Sequence, residues 1–270
     1  MIDLLSAKDV PDDVALSRSV GWPDTEADWR VLHAGAHVLG IRSEQRLVAH
    51  GALGEYGVAA TLAKMVVAPD QQRRGLGANL LDALLARADE RGVSVGLVAT
   101  ALGEPLYTSR GFRETGQVAI FTGTVAPGTG LGSAGVAPLD AATAIELDRG
   151  FTGCDRSRML AARLRESRAG FRLSGSGAGF GMVTEQEPFS VVGPIVAESE
   201  PQARALAQAL FASARGPFRI DVPLEQAAFR AWLGEIGLRE QAVRSEMARG
   251  AERMPWQCAE RYALATQAWG

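Results

Sequence analysis

The sequence predicts an α/β fold: a mixed central sheet flanked by helices, built as two similar halves in tandem. Three observations carry this. Apolar spacing along residues 11–122 alternates between helical and two-residue periods, which is the pattern of a layered α/β sheet. An apolar strand passes through Pro69-Asp-Gln-Gln-Arg-Arg-Gly-Leu-Gly77 into an amphipathic helix. Near the other end, Gly237-Leu-Arg-Glu240 can be laid over Gly111-Phe-Arg-Glu114.

Val14, Leu16, Val20, Trp22, Trp29 and Leu32 recur at helical spacing and are interrupted by Gly21 and Pro23, so two short helices are expected. His37–Arg42 and Arg46–Leu53 alternate around Ser43-Glu-Gln45 and read as a hairpin. Residues 60–68 form a third strand, with Leu62, Lys64 and Val66 expected on one face and Ala63, Met65 and Val67 on the other. Leu80, Leu81, Leu84, Leu85 and Ala88 make one helical stripe that ends in a basic turn and Gly92. A buried strand over 93–99, a short helix over 104–110 stopped by Gly111, and a strand over 117–122 complete the first half. Thr122–Val136 carries five glycines, a proline and no charge, which suits a connection; halves of 1–126 and 137–270 follow. Strands over 190–197 and 218–222 and helices over 201–215 and 224–236 repeat the outline.

The chain has 270 residues, enough for one large domain or two small ones without metal or disulfide support. A formal charge of −3 argues against a nucleic-acid partner, whose binding face raises the pI. No leader pattern and no long apolar run appear, so a cytoplasmic protein without a membrane span is expected. Cys154 and Cys258 are widely separated and read as unpaired thiols. His33 and His37 stand at i, i+4 without an HExxH pattern or third ligand, so no metal is expected.

Between strand and helix, Gln72, Arg73, Arg74, Gly75, Leu76 and Gly77 form a phosphate site in physical terms. Glycines let backbone N–H groups converge, the helix start adds donors and a positive dipole end, and the arginines add charge-assisted bonds. A Walker loop would need Gly-Lys followed by Ser or Thr, and a dinucleotide fingerprint would need a third glycine where Leu80 stands.

The run Val67-Ala-Pro69-Asp-Gln-Gln72-Arg-Arg-Gly75-Leu-Gly77-Ala78 resembles the V-x-P-x-x-[QR]-x-x-G-x-[GA] signature of the GNAT superfamily of N-acetyltransferases. Pro105-Leu-Tyr107-Thr-Ser-Arg-Gly111-Phe112 is similar to that family's second motif, L-Y-x-x-x-G-F. The resemblance covers residues 1–125 well and the rest in outline, as in bacterial members with a degenerate second copy. It implies that the loop holds the diphosphate of acetyl-CoA, that the strand before it splays from its neighbour so that the amides of Met65, Val66 and Val67 meet the pantetheine arm, and that Tyr107 protonates the leaving sulfur. Thr100 falls where the family opens its sheet and has packing or pantetheine contact as alternatives. The acceptor is an amine, a small molecule or an exposed amino group. Glu55, Asp24 and Glu104 are unranked candidates for a general base. Trp22 and Trp29 either wall an amine site through cation–π attraction or pack helix on sheet.

If the loop exists for phosphate, a copy without ligand should lose it. Val191–Pro201 runs from strand almost directly into helix with Glu198 and Glu200 and no arginine, and Leu233 takes the place of Tyr107. One active site per chain is expected. Ser174-Gly-Ser-Gly-Ala-Gly179 reads as a hairpin turn. A non-catalytic acyl-CoA sensor or scaffold is the alternative function, with retained Tyr107 favouring the enzyme. Oligomeric state is left open, a homodimer included.

Overall fold

In the computed structural model, which describes residues 1–126, 135–175 and 177–269, the chain first forms β1 (Ile2–Leu4), α1 (Val10–Ser19), α2 (Glu26–Gly35), β2 (Ala36–Ser43), β3 (Arg46–Glu55), β4 (Ala59–Val67), α3 (Leu76–Glu90), β5 (Ser94–Ala99), α4 (Glu104–Thr108) and β6 (Arg113–Gly123). Then follow β7 (Val136–Pro138), α5 (Ala141–Thr152), α6 (Ser157–Glu166), β8 (Ala169–Leu173), β9 (Gly179–Thr184), β10 (Ser190–Ala197), α7 (Glu200–Ser213), β11 (Phe218–Pro223), α8 (Ala227–Glu235), β12 (Leu238–Arg249) and β13 (Arg261–Ala263). Most of the expected linker, 127–134, lies outside the described residues. The turn expected at 174–179 lies partly outside the described residues, and the strands on either side of it, β8 and β9, pair antiparallel.

The helices end where local chemistry stops them. Thr25 caps α2 through a capping box with Asp28. Helix α3 starts after Gly75 at φ +80 and is followed by Gly92 at φ +64. Its Leu80, Leu81 and Leu84 are fully buried against the sheet.

All strands join one sheet, in the order β1-β2-β3-β4-β5-β12-β6-β11-β10-β9-β8-β7, with β13 attached to β10. This order is a palindrome: each half contributes its strands one to five and then places its sixth beside the other half's fifth. Strand β12 thus pairs β5 over Ser245–Arg249 and pairs β6 over Leu238–Ala248. Strand β6 pairs β11 over Val118–Gly123. The halves are therefore interleaved by exchanged strands. Further contacts cross the same way: Arg249 of β12 grips Asp89 of α3 at 2.7 and 3.0 Å, and Met159 of α6 packs on Gly35 of α2.

The even alternation expected along β4 does not hold. Ala52 pairs Ala63 and His50 pairs Val66, so Lys64 and Met65 together oppose Gly51. This is a β-bulge, with Lys64 in the left-handed region at φ +53. Lys64 and Met65 point to opposite faces: the lysine reaches Asp24 beyond α1, while Met65 lies over Gly51 beside Leu80 and Leu84 of α3. Period two conceals an inserted residue, because each side of the bulge still alternates.

Candidate active site

Strands β4 and β5 pair in parallel only over Ala59–Ser94, Ala60–Val95 and Thr61–Gly96. Beyond Thr61 the two strands carry no further ladder pairs among the described residues, so the sheet opens beside Met65, Val66 and Val67. The bulge at Lys64 marks where β4 bends away, as such insertions do.

The opening leads to the loop. Pro69–Gln71 form a 3-10 turn, Gln72 is exposed with Nε2 donating to the Val67 carbonyl at 3.1 Å, and Arg73 adopts φ +62. Gly75 is left-handed and provides no side-chain cap for α3. The N–H groups of Leu76, Gly77 and Ala78 belong to the first helical turn, where no intrahelical acceptor exists. Gly77 sits over β4, a Cβ there falling 3.4 Å from Val67 Cγ2. Arg73 and Arg74 are exposed, and Arg74 donates to Gln71 at 3.1 Å. Uncapped amides and a positive dipole end thus meet at this loop beside the exposed guanidinium groups of Arg73 and Arg74, features that suit a phosphate.

Tyr107 lies on α4, which follows directly from the end of β5. Its ring packs edge-on against Phe112, centroids 5.9 Å apart, and burial pushes its hydroxyl up to about 12. Thr100, at the β5 end, accepts the Gly103 amide at 3.3 Å, and Gly103 leaves room for the Tyr107 ring. The turn from β5 into α4 is thereby fixed, and Thr100 is half-buried within it.

On the face of the sheet opposite α3 lies a polar cluster that sequence reasoning missed. Asp13 of α1, fully buried, accepts from His33 Nε2 at 2.8 Å and from His50 Nδ1 at 2.9 Å. A carboxylate can only accept, so both ring nitrogens donate. His50 Nε2 is buried without a partner among the described residues. Burial lowers the His50 pKa, with Asp13, Asp24 and Lys64 acting on it electrostatically. Trp29 is fully buried against His50, centroids 4.4 Å apart, and donates to Ser17. Trp22 is half-buried and faces the Lys64 ammonium at 5.5 Å, so the cation over this ring is the chain's own. The signal for this cluster was a histidine inside the apolar strand Leu47–Leu53 and an aspartate on the apolar side of α1.

The base candidates separate. Glu55 is held by Arg87 at 3.0 Å and Arg91 at 2.7 Å beside α3. Glu104 is half-exposed in the first turn of α4. Asp24 is buried, with Oδ1 on Lys64 Nζ at 2.5 Å and Oδ2 unpartnered among the described residues. His33 and His37 do not converge: His33 binds Asp13, whereas His37 lies in the electrostatic field of Arg87, Glu55 and Arg91.

In the second half the corresponding opening is filled. Strands β10 and β11 pair only over Ser190–Phe218, Val191–Arg219 and Val192–Ile220. Opposite Met182, Gly193 and Pro194 make the matching bulge. Strand β13 then enters, pairing Ile195 and Val196 of β10, while Leu264 donates to the Asp221 carbonyl of β11 at 2.9 Å. Leu233 is fully buried in α8, and Glu200 at the α7 start is engaged by Arg204.

Two family profiles, each described as an acetyltransferase (GNAT) domain, match residues 24–126 and 144–263, together spanning most of the chain. The chain is 26% identical over 264 residues to YitH of Bacillus subtilis, an uncharacterized N-acetyltransferase, covering 94% of this chain and 93% of that one. A crystal structure from Pyrococcus horikoshii, of a candidate acetyltransferase, superposes with TM-score 0.84 at 23% identity, covering 100% of this chain and 95% of that one. A tandem GNAT protein from the clavulanic acid biosynthesis pathway superposes with TM-score 0.64 at 17% identity, covering 92% and 98%. These two likenesses establish the fold.

Proposed function

The chain belongs to the GNAT acetyltransferases, as a tandem member with one such domain in each half, and on that premise we propose that it transfers an acetyl group from acetyl-CoA to a primary amine at a single site in residues 1–126, residues 137–270 forming the degenerate second half. The observation that carries this reading is the β4–β5 opening, which is followed on the β4 side by an uncapped helix start and on the β5 side by the short helix that bears Tyr107.

The residues present fit acetyl-CoA. Gln72, Arg73, Arg74 and the amides of Gly75, Leu76, Gly77 and Ala78 would hold its diphosphate; Met65, Val66 and Val67 would pair with its pantetheine arm beside Thr100. Bound there, it supplies an acyl thioester. Backbone N–H groups of β4 on the side left unpaired by β5 would polarise its carbonyl, since fixed donors act without reorganisation. Tyr107 stands ready as the proton donor for sulfur, because the phenol, pushed up to about 12 by the packing around its half-buried side chain, keeps its proton throughout the neutral range. In a direct ternary-complex transfer the C–N bond forms as the C–S bond breaks. The sulfur receives the Tyr107 proton, and the proton shed by the nitrogen returns to the phenol through solvent. No helix among the described residues is long and apolar enough to cross a membrane.

Thiol release from acetyl-CoA in the presence of an amine panel tests the reading. Tyr107→Phe should lower kcat about 100-fold or more while leaving acetyl-CoA affinity within about twofold. Arg74→Ala should instead weaken acetyl-CoA binding about tenfold, the loss of one charge-assisted bond. Equal kinetics in both variants and the parent chain would refute the assignment.

A further inference from the structure

Resting on the transferase reading above, we infer that the acceptor is a zwitterionic amine, an ammonium with an acidic group two or three bonds away as in an α-amino acid, held by Asp24 and Lys64. On that reading the thioester lies in the sheet opening, and on the face opposite α3 Lys64 stands at the β4 bulge beside it, bound to Asp24 just before α2. Asp24 Oδ2 is buried and unpartnered among the described residues, and a carboxylate oxygen left so costs free energy unless a donor meets it. An acceptor ammonium is such a donor.

The neighbouring charges narrow the class. Lys64 Nζ lies 2.5 Å from Asp24 Oδ1, so the negative and positive anchor points are only a few ångströms apart. Lys64 uses one of its donors on Asp24 and rests over Trp22, which leaves further donors for an acid group. Arg219 of β11 also lies within the electrostatic reach of Asp24, itself bound to Asp221 at 2.9 and 2.8 Å. A bare cation entering here meets a carboxylate already neutralised by Lys64, with a second cation nearby. A zwitterion satisfies both anchors. Lys64 stands at the β4 bulge in the left-handed region, a non-glycine residue at φ +53, with its ammonium on the face opposite Met65 and α3.

The experiment measures thiol release with free α-amino acids, the same amino acids as carboxamides, and a linear diamine, alongside calorimetry with acetyl-CoA alone. The free acids should exceed the carboxamides and the diamine at least tenfold in kcat/KM. Asp24→Asn should raise the acceptor KM about 10- to 100-fold without moving acetyl-CoA affinity, which also certifies folding. Lys64→Met should erase the preference for free acid over carboxamide. Carboxamides or diamine used as well as the acids, an unchanged KM in Asp24→Asn, or no turnover of the acids while acetyl-CoA binds would each overturn the inference. Failure to bind acetyl-CoA would instead overturn the transferase reading beneath it.

Discussion

Tyr107 packs against Phe112 and stands over Gly103, and burial alone pushes its hydroxyl up to about 12. The folded value lies above the ordinary tyrosine value near 10, so folding favours the neutral phenol. The stability this contributes is complete below pH ~10 and is lost as pH rises toward ~12, amounting to on the order of 2 kcal/mol. On the proposed mechanism catalysis would inherit the same sign: through neutral pH the phenol keeps its proton, and a rise of rate with pH would report deprotonation of the acceptor amine. We therefore expect kcat to increase from pH 6 to 9 in the parent chain and in Tyr107→Phe alike, with the variant lower throughout. A fall in rate with a midpoint between pH 8 and 9 that vanishes in Tyr107→Phe would contradict this assignment. The residues of the loop and of the Tyr107 turn were legible because their meaning is local: Gly75 needs its left-handed φ and Gly111 its φ of +84 whatever surrounds them. Asp13, His50 and the pair Asp24–Lys64 were not, since their partners lie 20 to 40 positions away and meet only through tertiary packing.

Among the elements, α3 was legible from its leucine stripe, and the β2–β3 hairpin from alternation around a polar turn. Strands β1 and β7 have three residues each and carry too little pattern to read. Strand β13 is the element with most consequence for the proposed function. Its backbone occupies the opening between β10 and β11, whereas no strand enters the opening beside β4 among the described residues. Arg261 of β13 is pinned by Glu246 of β12 at 2.8 and 2.7 Å, both side chains buried. A Cβ on Gly193 would fall 1.9 Å from the Leu264 carbonyl oxygen, so that the bulge of β10 and the segment after β13 touch backbone to backbone. With one opening sealed by the chain itself, calorimetry should return one acetyl-CoA per chain. Gly193→Ala should lower stability in urea unfolding by about 2 kcal/mol or more, because neither backbone can yield cheaply. A stoichiometry of two per chain would show that β13 gives way to a ligand.

At the scale of the molecule, nothing in a strand's own residues says which strand will lie beside it, and the palindromic order was therefore invisible to periodicity. The repeat of Gly111-Phe-Arg-Glu114 in Gly237-Leu-Arg-Glu240 announced two like halves but not their exchange. The exchange has energetic weight: β5 and β6 of the first half are not neighbours, and the gap between them is filled by β12 from the second. Cut from its companion, the first half would expose the edges of both strands, unpaired N–H and C=O groups included, along with apolar side chains that Met254 and Trp256 now cover. Each edge so exposed is also a template for aggregation. The Pro69–Ala78 loop, the sheet opening and Tyr107, which the proposed function joins, all belong to the first half, yet the strand next to β5 does not. Residues 1–126 expressed alone should accordingly fail to give a cooperative thermal transition and should bind no acetyl-CoA. Co-expression with residues 135–270 should restore both, as a single transition shared by the two fragments. A monomeric 1–126 fragment that unfolds cooperatively and acetylates an amine would show that the exchanged strand is dispensable to the site.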